Sequence, residues 1–274
     1  MLEQITGMNI TYNRYSFQFF LHSMNRLGIS SIELWGGAPH FYIEDLNHFK
    51  TNQFLKKIRA NELNIVCFTP EQCMYPINLA SVDETEGKRS LEYFSKCIDI
   101  CHTLEVSKMV VTPGYGCFDQ DREEAWKNCR ERLFQLSKIA ESTGVTLLLE
   151  PLSFYETNIV KDLPSLKLML QEVDSSHLKP MVDTVAMYLE KETLDQYFTE
   201  FGKDLIHIHL VDSVQNSFDH LSWGEGTQSL PDHLQSIKQF GYKGPLTLEL
   251  ISADYILDPE AAMKQSVKQI TNLL

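Results

Sequence analysis

Eight short apolar runs alternate with eight amphipathic helical patterns along the chain, and this alternation restricts the possible folds more than any other feature. The strand-like runs cover residues 4–10, 31–35, 64–68, 108–112, 145–150, 179–183, 205–211 and 246–251. The helical patterns lie near 16–27, 51–62, 87–104, 122–143, 163–172, 192–201, 230–240 and 259–274. With each strand followed by a helix and no long linker or break in composition, the spacing predicts an α/β chain. The expected form is one closed (β/α)₈ barrel domain over residues 1–274. An open doubly wound sheet would place a glycine-rich phosphate turn after an early strand, and Trp35-Gly-Gly37 is too short for one. Gly28, Gly144 and Gly241 stand just past helices, where a residue with positive φ is wanted. Asp258 before Pro259 reads as an N-cap followed by proline at the first helical position.

Several of the later strands end on a polar group. Val145-Thr-Leu-Leu-Leu-Glu-Pro-Leu152 runs through apolar residues to a carboxylate and is then stopped by proline. Lys179-Pro-Met-Val-Asp183 and Pro245-Leu-Thr-Leu-Glu249 repeat the device, and Leu205-Ile-His-Ile-His-Leu-Val211 carries two imidazoles. Side chains two apart on a strand share a face, so His207 pairs with His209 and Thr247 with Glu249. In such barrels catalytic groups sit at the C-terminal ends of strands. Glu150, Asp183, His209 and Glu249 end strands five to eight, so their tips can converge. A single strand-end acid most simply caps the following helix; four on consecutive strands favour a metal site. Three carboxylates and one imidazole suit one divalent ion, manganese first, with magnesium, cobalt or zinc as alternatives. His207, one step deeper, is assigned a supporting or core role.

Neighbouring loops offer further polar groups. Glu156 follows Glu150 closely, and Trp35 and His40 follow strand two. Glu71 follows strand three, while Asp212, His220 and the Gly224-Glu-Gly226 turn follow strand seven. The expected substrate contacts are Glu156, His40, Trp35, Glu71, Asp212 and His220. A metal with two glutamates suggests removal of a carbon-bound proton beside a sugar carbonyl, giving an enediolate. A second carboxylate returns a proton on the other face.

Composition supplies the exclusions. The 274-residue chain is 43% hydrophobic and 22% charged, enough for an ordinary core. Its formal charge of −13 opposes nucleic acid and anionic membranes as partners. The six cysteines form no CxxC pair and read as reduced core thiols. Without a signal-like start or a membrane-length apolar run, the expected location is cytoplasmic.

The residues resemble the sugar phosphate isomerase/epimerase superfamily of xylose-isomerase-like TIM barrels, and within it the ketose and fructosamine 3-epimerases. The resemblance rests on an ordered set spanning nearly the whole chain. Its early part is Glu33-Leu-Trp-Gly-Gly37 with Pro39-His40, then Thr69-Pro-Glu71 with Tyr75-Pro76 and Asn78. Leu149-Glu-Pro-Leu152 with Tyr155-Glu156 and Asn158 follows, and then Met181-Val-Asp183. His207-Ile-His209 with Val211-Asp-Ser213, Gly224-Glu-Gly226 and Leu248-Glu-Leu250 complete it. The resemblance implies metal ligation by Glu150, Asp183, His209 and Glu249, proton transfer by Glu150 and Glu249, and substrate contact at Glu156. It departs at two points. Where free-ketose epimerases carry a substrate-binding histidine and arginine, this chain has Ala186 and Gln215. That leaves room for a substituted sugar, with Asp212 or His220 replacing the missing contacts.

The implied activity is C3 epimerisation of a ketose or fructosamine of the fructoselysine/psicoselysine type. Competing readings are an aldose–ketose isomerase or inosose dehydratase of the same superfamily, and an inactive sugar-binding barrel. An endonuclease-IV-like repair enzyme would need three zinc ions, more histidines and a basic groove. The expected partners are a small-molecule sugar or glycated amine and, in a homo-oligomer, further copies of the chain.

Overall fold

The computed structural model describes residues 1–73 and 76–274; Tyr75, one of the motif residues above, lies outside the described residues. Its strands are β1 (Ile5–Met8), β2 (Ser31–Gly36), β3 (Asn64–Pro70), β4 (Lys108–Val111) and β5 (Thr146–Leu149), then β6 (Leu178–Pro180), β7 (Val182–Asp183), β8 (Ile208–His209) and β9 (Leu246–Leu248). All pair in parallel, in the order β6-β5-β4-β3-β2-β1-β9-β8-β7. β6 and β7 are two runs of one stave, interrupted at Met181. The Met181 amide still donates to Leu149 of β5 at 3.3 Å, and the Val182 amide switches to His207 at 3.4 Å. One stave thus bonds β5 on one side and β8 on the other, which closes the ring into the expected eight-stave barrel.

The helices are α1 (Phe17–Arg26), α2 (His48–Ala60), α3 (Glu84–Leu104), α4 (Arg122–Thr143), α5 (Leu163–Val173), α6 (Thr184–Leu189), α7 (Leu194–Phe201), α8 (Leu230–Gln239) and α9 (Pro259–Thr271). Their ends follow local chemistry. Asp121 caps α4 through the Glu123 amide, and Gly144 ends the helix at φ +74°. Asp162 with Ser165 forms a capping box on α5, as Thr193 with Gln196 does on α7. Gly28 and Gly241 adopt the expected positive φ, and Asp258 caps α9 ahead of Pro259. The short α6 has no counterpart among the helices expected from periodicity; six residues are too few for an amphipathic repeat to register.

Alternation along each stave separates two cores. Outward residues such as Ile32, Leu147, Leu149 and Ile208 pack with the helices. Inward residues Cys67, Val110, Leu148 and Met181 form a small apolar plug inside the barrel. One pleat further along the same staves come Thr69, Glu150 and Asp183, so polar chemistry begins where the plug stops. Four cysteines are buried as expected, whereas Cys73 and Cys117 are exposed. Among the described residues no helix is long and apolar enough to cross a membrane.

Candidate active site

Glu150, Asp183, His209 and Glu249 meet at the C-terminal mouth of the barrel, each delivered by the last residue of a stave or the one after it. One donor atom from each lies within 4.8 Å of the others. His209 Nδ1 is 3.1 Å from Glu150 Oε1, 3.6 Å from Asp183 Oδ2 and 3.0 Å from Glu249 Oε2. His209 is fully buried, and the three acids are at most 9% exposed. Asp183 performs both roles weighed from sequence. Its Oδ1 caps α6, accepting from the Val185 and Ala186 amides, while Oδ2 turns into the site.

Beneath this set lies a carboxylate that sequence reading quoted only as part of a motif. Glu33, fully buried on β2, accepts four hydrogen bonds. His207 Nε2 (2.7 Å) and Thr247 Oγ1 (2.6 Å) donate to Oε2. His209 Nε2 (3.0 Å) and Thr69 Oγ1 donate to Oε1. Burial alone would raise the Glu33 carboxyl, but the two imidazoles hold its pKa well below the ordinary range. It is therefore an acceptor only, and the proton of neutral His209 sits on Nε2. In that neutral form His209 Nδ1, buried and without a hydrogen-bond partner, turns a lone pair toward three carboxylates, an arrangement relieved only by a proton or a cation between them. The detectable signal was a lone acid inside the apolar run Ile32-Glu33-Leu34. His207, kept neutral because burial lowers its pKa, donates to Glu33 and is not among the four converging groups, as its deeper position predicted.

The four-residue set needs positive charge. Burial, opposed by His209 and reinforced by Glu249 and Asp183, raises the Glu150 carboxyl to about 7. Burial opposes a proton on His209, yet Glu33, Glu249 and Glu150 together hold its pKa well above the usual value. A cation between the groups satisfies both the orphan lone pair and the crowded carboxylates. Two ligands at right angles on an ion with bonds of about 2.1 Å lie about 3.0 Å apart. The separations from His209 Nδ1 to Glu150 and Glu249 match that spacing, and the 3.6 Å to Asp183 corresponds to a wider angle, so these four side chains could hold a divalent ion.

The mouth opens into a cavity of about 280 Å³. Trp35, Glu71, Glu156 and His220, four of the six residues proposed from sequence as substrate contacts, line it together with Glu150, Asp183 and Glu249. Trp35 Nε1 donates to Glu71 Oε2 at 3.0 Å, and Ser153 Oγ donates to Glu156 Oε2 at 2.7 Å. Burial raises both Glu71 and Glu156. His220 Nε2 lies 3.1 Å from Asp183 Oδ2. Burial disfavours its charge, but Asp183, Glu249 and Glu156 outweigh that and raise it to about 10. Ala186 also lines the cavity, while Gln215 is exposed and donates to the Tyr188 carbonyl at 3.1 Å.

Two expected contacts are corrected. His40 is buried away from the cavity lining, with its ring nitrogens against Asn9 Nδ2 (3.2 Å) and the Tyr15 carbonyl (2.7 Å). Asp212 is buried and accepts the amides of Gly224, Gly226, Gln228 and Ser213 at 2.8–3.1 Å. Its carboxylate is used up in folding the loop. Gly226 is explained by the same contact, since a Cβ there would lie 2.3 Å from Asp212 Oδ1, and Gly224 by its φ of +95°.

The model of the xylose isomerase-like TIM barrel family matches residues 21–273. The chain belongs to that family. It is 30% identical over 270 residues to a fructoselysine 3-epimerase of Shigella flexneri, with 98% of each chain covered. The D-psicose 3-epimerase of Clostridium cellulolyticum H10, solved with D-tagatose, superposes with a TM-score of 0.80. It is 16% identical, and the match covers 97% of this chain and 99% of that one. A structure of the IOLI protein with a binding zinc atom gives a TM-score of 0.78 at 18% identity, covering 98% of this chain and 97% of that one. Like its epimerase relatives, this family member is an enzyme of the isomerase class.

Proposed function

We propose that the chain is a divalent-metal-dependent 3-epimerase of a ketose or fructosamine, of the fructoselysine/psicoselysine type. The observation that carries this reading is the pair Glu150 and Glu249. They come from staves on opposite flanks of Asp183 and His209, both reach His209 Nδ1 within 3.1 Å, and both line one cavity. A substrate between them can meet a carboxylate on each face.

Glu150, Asp183, His209 and Glu249 would hold the ion. When bound, a divalent ion supplies positive charge that polarises the substrate carbonyl and neighbouring hydroxyl, easing loss of the proton between them. The chain's own groups do the rest. One glutamate takes the C3 proton, leaving an enediolate, and the other delivers a proton to the opposite face. Glu33 fixes the orientation and tautomer of His209, so its bare nitrogen faces the site. Glu71 and Glu156 accept from substrate hydroxyls, and Trp35 forms an apolar wall. The fructoselysine-type substrate is supported by the 30% identical relative and by Ala186, a small residue in the lining where free-ketose epimerases carry histidine. An aldose–ketose isomerase or inosose dehydratase would use similar groups on a different bond.

The test is to strip the protein with a chelator, restore it with manganese, and assay fructoselysine, psicoselysine and free psicose. The proposal expects activity that vanishes with the metal, returns with it and inverts C3. Carbonyl migration, dehydration or chelator-resistant turnover would overturn it.

A further inference from the structure

Beyond the catalytic cavity the mouth opens into a larger cleft of about 860 Å³ whose lining is unusual for a solvent-facing surface. Cys73, Glu156 and Phe218 line both spaces, so the cleft continues from the metal-ligand set. Among the described residues, five aromatic side chains from three loops surround it: Tyr115, Phe118, Phe154, Tyr155 and Phe218. They are 40–89% exposed, with Phe118 the most open. Phe154 and Tyr155 lie 4.1 Å apart by ring centroid, and Tyr155 and Phe218 5.3 Å apart, so three of the rings form a continuous run. Asp119 and Glu156 are the charged residues of the lining, and among the described residues no lysine or arginine faces the cleft.

From this cleft we infer that the enzyme has a second subsite, which takes the amine-bearing arm of an amino-substituted ketose while the sugar occupies the metal-ligand cavity. Exposed aromatic rings grouped around a concave space gain from covering by aliphatic chain. Their π-faces and the two carboxylates attract a cation, here the ammonium group at the end of the arm. A free hexose has no group to fill the cleft; a fructosamine carries both an aliphatic arm and positive charge. The inference rests on the fructosamine reading of the active site and adds where the substituent lies.

Two measurements test it. The first compares kcat/KM for fructoselysine and for a fructosamine bearing only a methylamine group, in the wild type, in Phe118→Ala/Phe154→Ala and in Asp119→Asn. The double variant should lower the long-arm value about tenfold, as expected for loss of aromatic and cation–π contacts. The short-arm value should stay within about twofold. Asp119→Asn should show the same selective loss, about threefold. The second measures calorimetric binding of the reduced fructoselysine analogue, which has no carbonyl and cannot be epimerised. Its affinity should fall about tenfold in the double variant whether or not any substrate turns over, which separates failure of the subsite from failure of the epimerase reading. Equal losses for both arms, or unchanged affinity for the reduced analogue, would overturn the inference. So would variants that only change oligomeric mass by light scattering, which would assign the rings to contact between copies of the chain.

Discussion

Replacing Glu33 by glutamine keeps its size and removes one acceptor oxygen from a fully buried centre. Each oxygen serves two donors, a histidine Nε2–H and a threonine hydroxyl. Wherever the new NH₂ settles, it faces one imidazole N–H and one hydroxyl. The hydroxyl can rotate to accept; the imidazole loses its bond or shifts its proton. A hydrogen bond to a charged group contributes about 1.5–3 kcal/mol. If His209 shifts its proton to Nδ1, the nitrogen facing Glu150, Asp183 and Glu249 no longer offers a lone pair. Loss of a carboxylate supporting a metal-bound histidine typically costs about 10–100-fold in metal affinity. Glu33→Gln should therefore raise the manganese Kd by that factor, measured by competition with a calibrated chelator, while circular dichroism stays unchanged. Manganese affinity within about twofold of wild type, in a folded variant, would refute the claim that Glu33 sets the histidine.

Other consequences are accessible to simple assays. Burial lowers the His233 pKa from 6.5 to about 4, and its Nε2 lies 2.9 Å from Gln228 Oε1. The unfolded chain binds the proton more readily, so His233 contributes stability that is present above pH 6.5 and lost as pH falls towards 4. Between pH 7 and pH 5 the loss should be about 1–2 kcal/mol. Urea unfolding should show that this acid sensitivity exceeds that of His233→Gln, and equal sensitivity would contradict it. Free psicose should be a poorer substrate than fructoselysine in direct competition, because neither Ala186 nor Gln215 offers the polar contacts of free-ketose epimerases. Glu156→Gln should raise KM more than it lowers kcat under the proposed contact role of Glu156; a dominant fall in kcat would assign it to proton transfer.

Most staves were legible because an apolar run ends on a polar group or a proline, a pattern that needs no knowledge of the rest of the chain. Glu150, Asp183, His209 and Glu249 could be chosen for the same reason: barrel geometry brings the ends of neighbouring staves together. Glu33 was not assigned because its meaning depends on donors 36, 174, 176 and 214 positions away. His40 and Asp212 misled for the converse reason. A polar residue near the mouth looks available until its partners are known, and theirs are the Tyr15 carbonyl and a ring of loop amides. The break in the sixth stave at Met181 follows Pro180, whose missing N–H cannot continue the ladder, although that effect was not separable from an ordinary strand in the sequence alone.

The central claim, two glutamates acting on opposite faces of one carbon, is tested most directly by proton exchange at C3 in D₂O. Fructoselysine and psicoselysine are incubated separately with manganese-loaded wild type, Glu150→Gln and Glu249→Gln. The samples are freed of metal before NMR, and metal content is measured in parallel. General acid–base groups contribute about 10²–10⁴-fold, so each variant should lose at least about a hundredfold in interconversion. One variant should still exchange the C3 proton of a single epimer, and the other variant that of the opposite epimer. Near-normal interconversion by both variants with metal bound, or the same epimer exchanging in both, would contradict the two-base account.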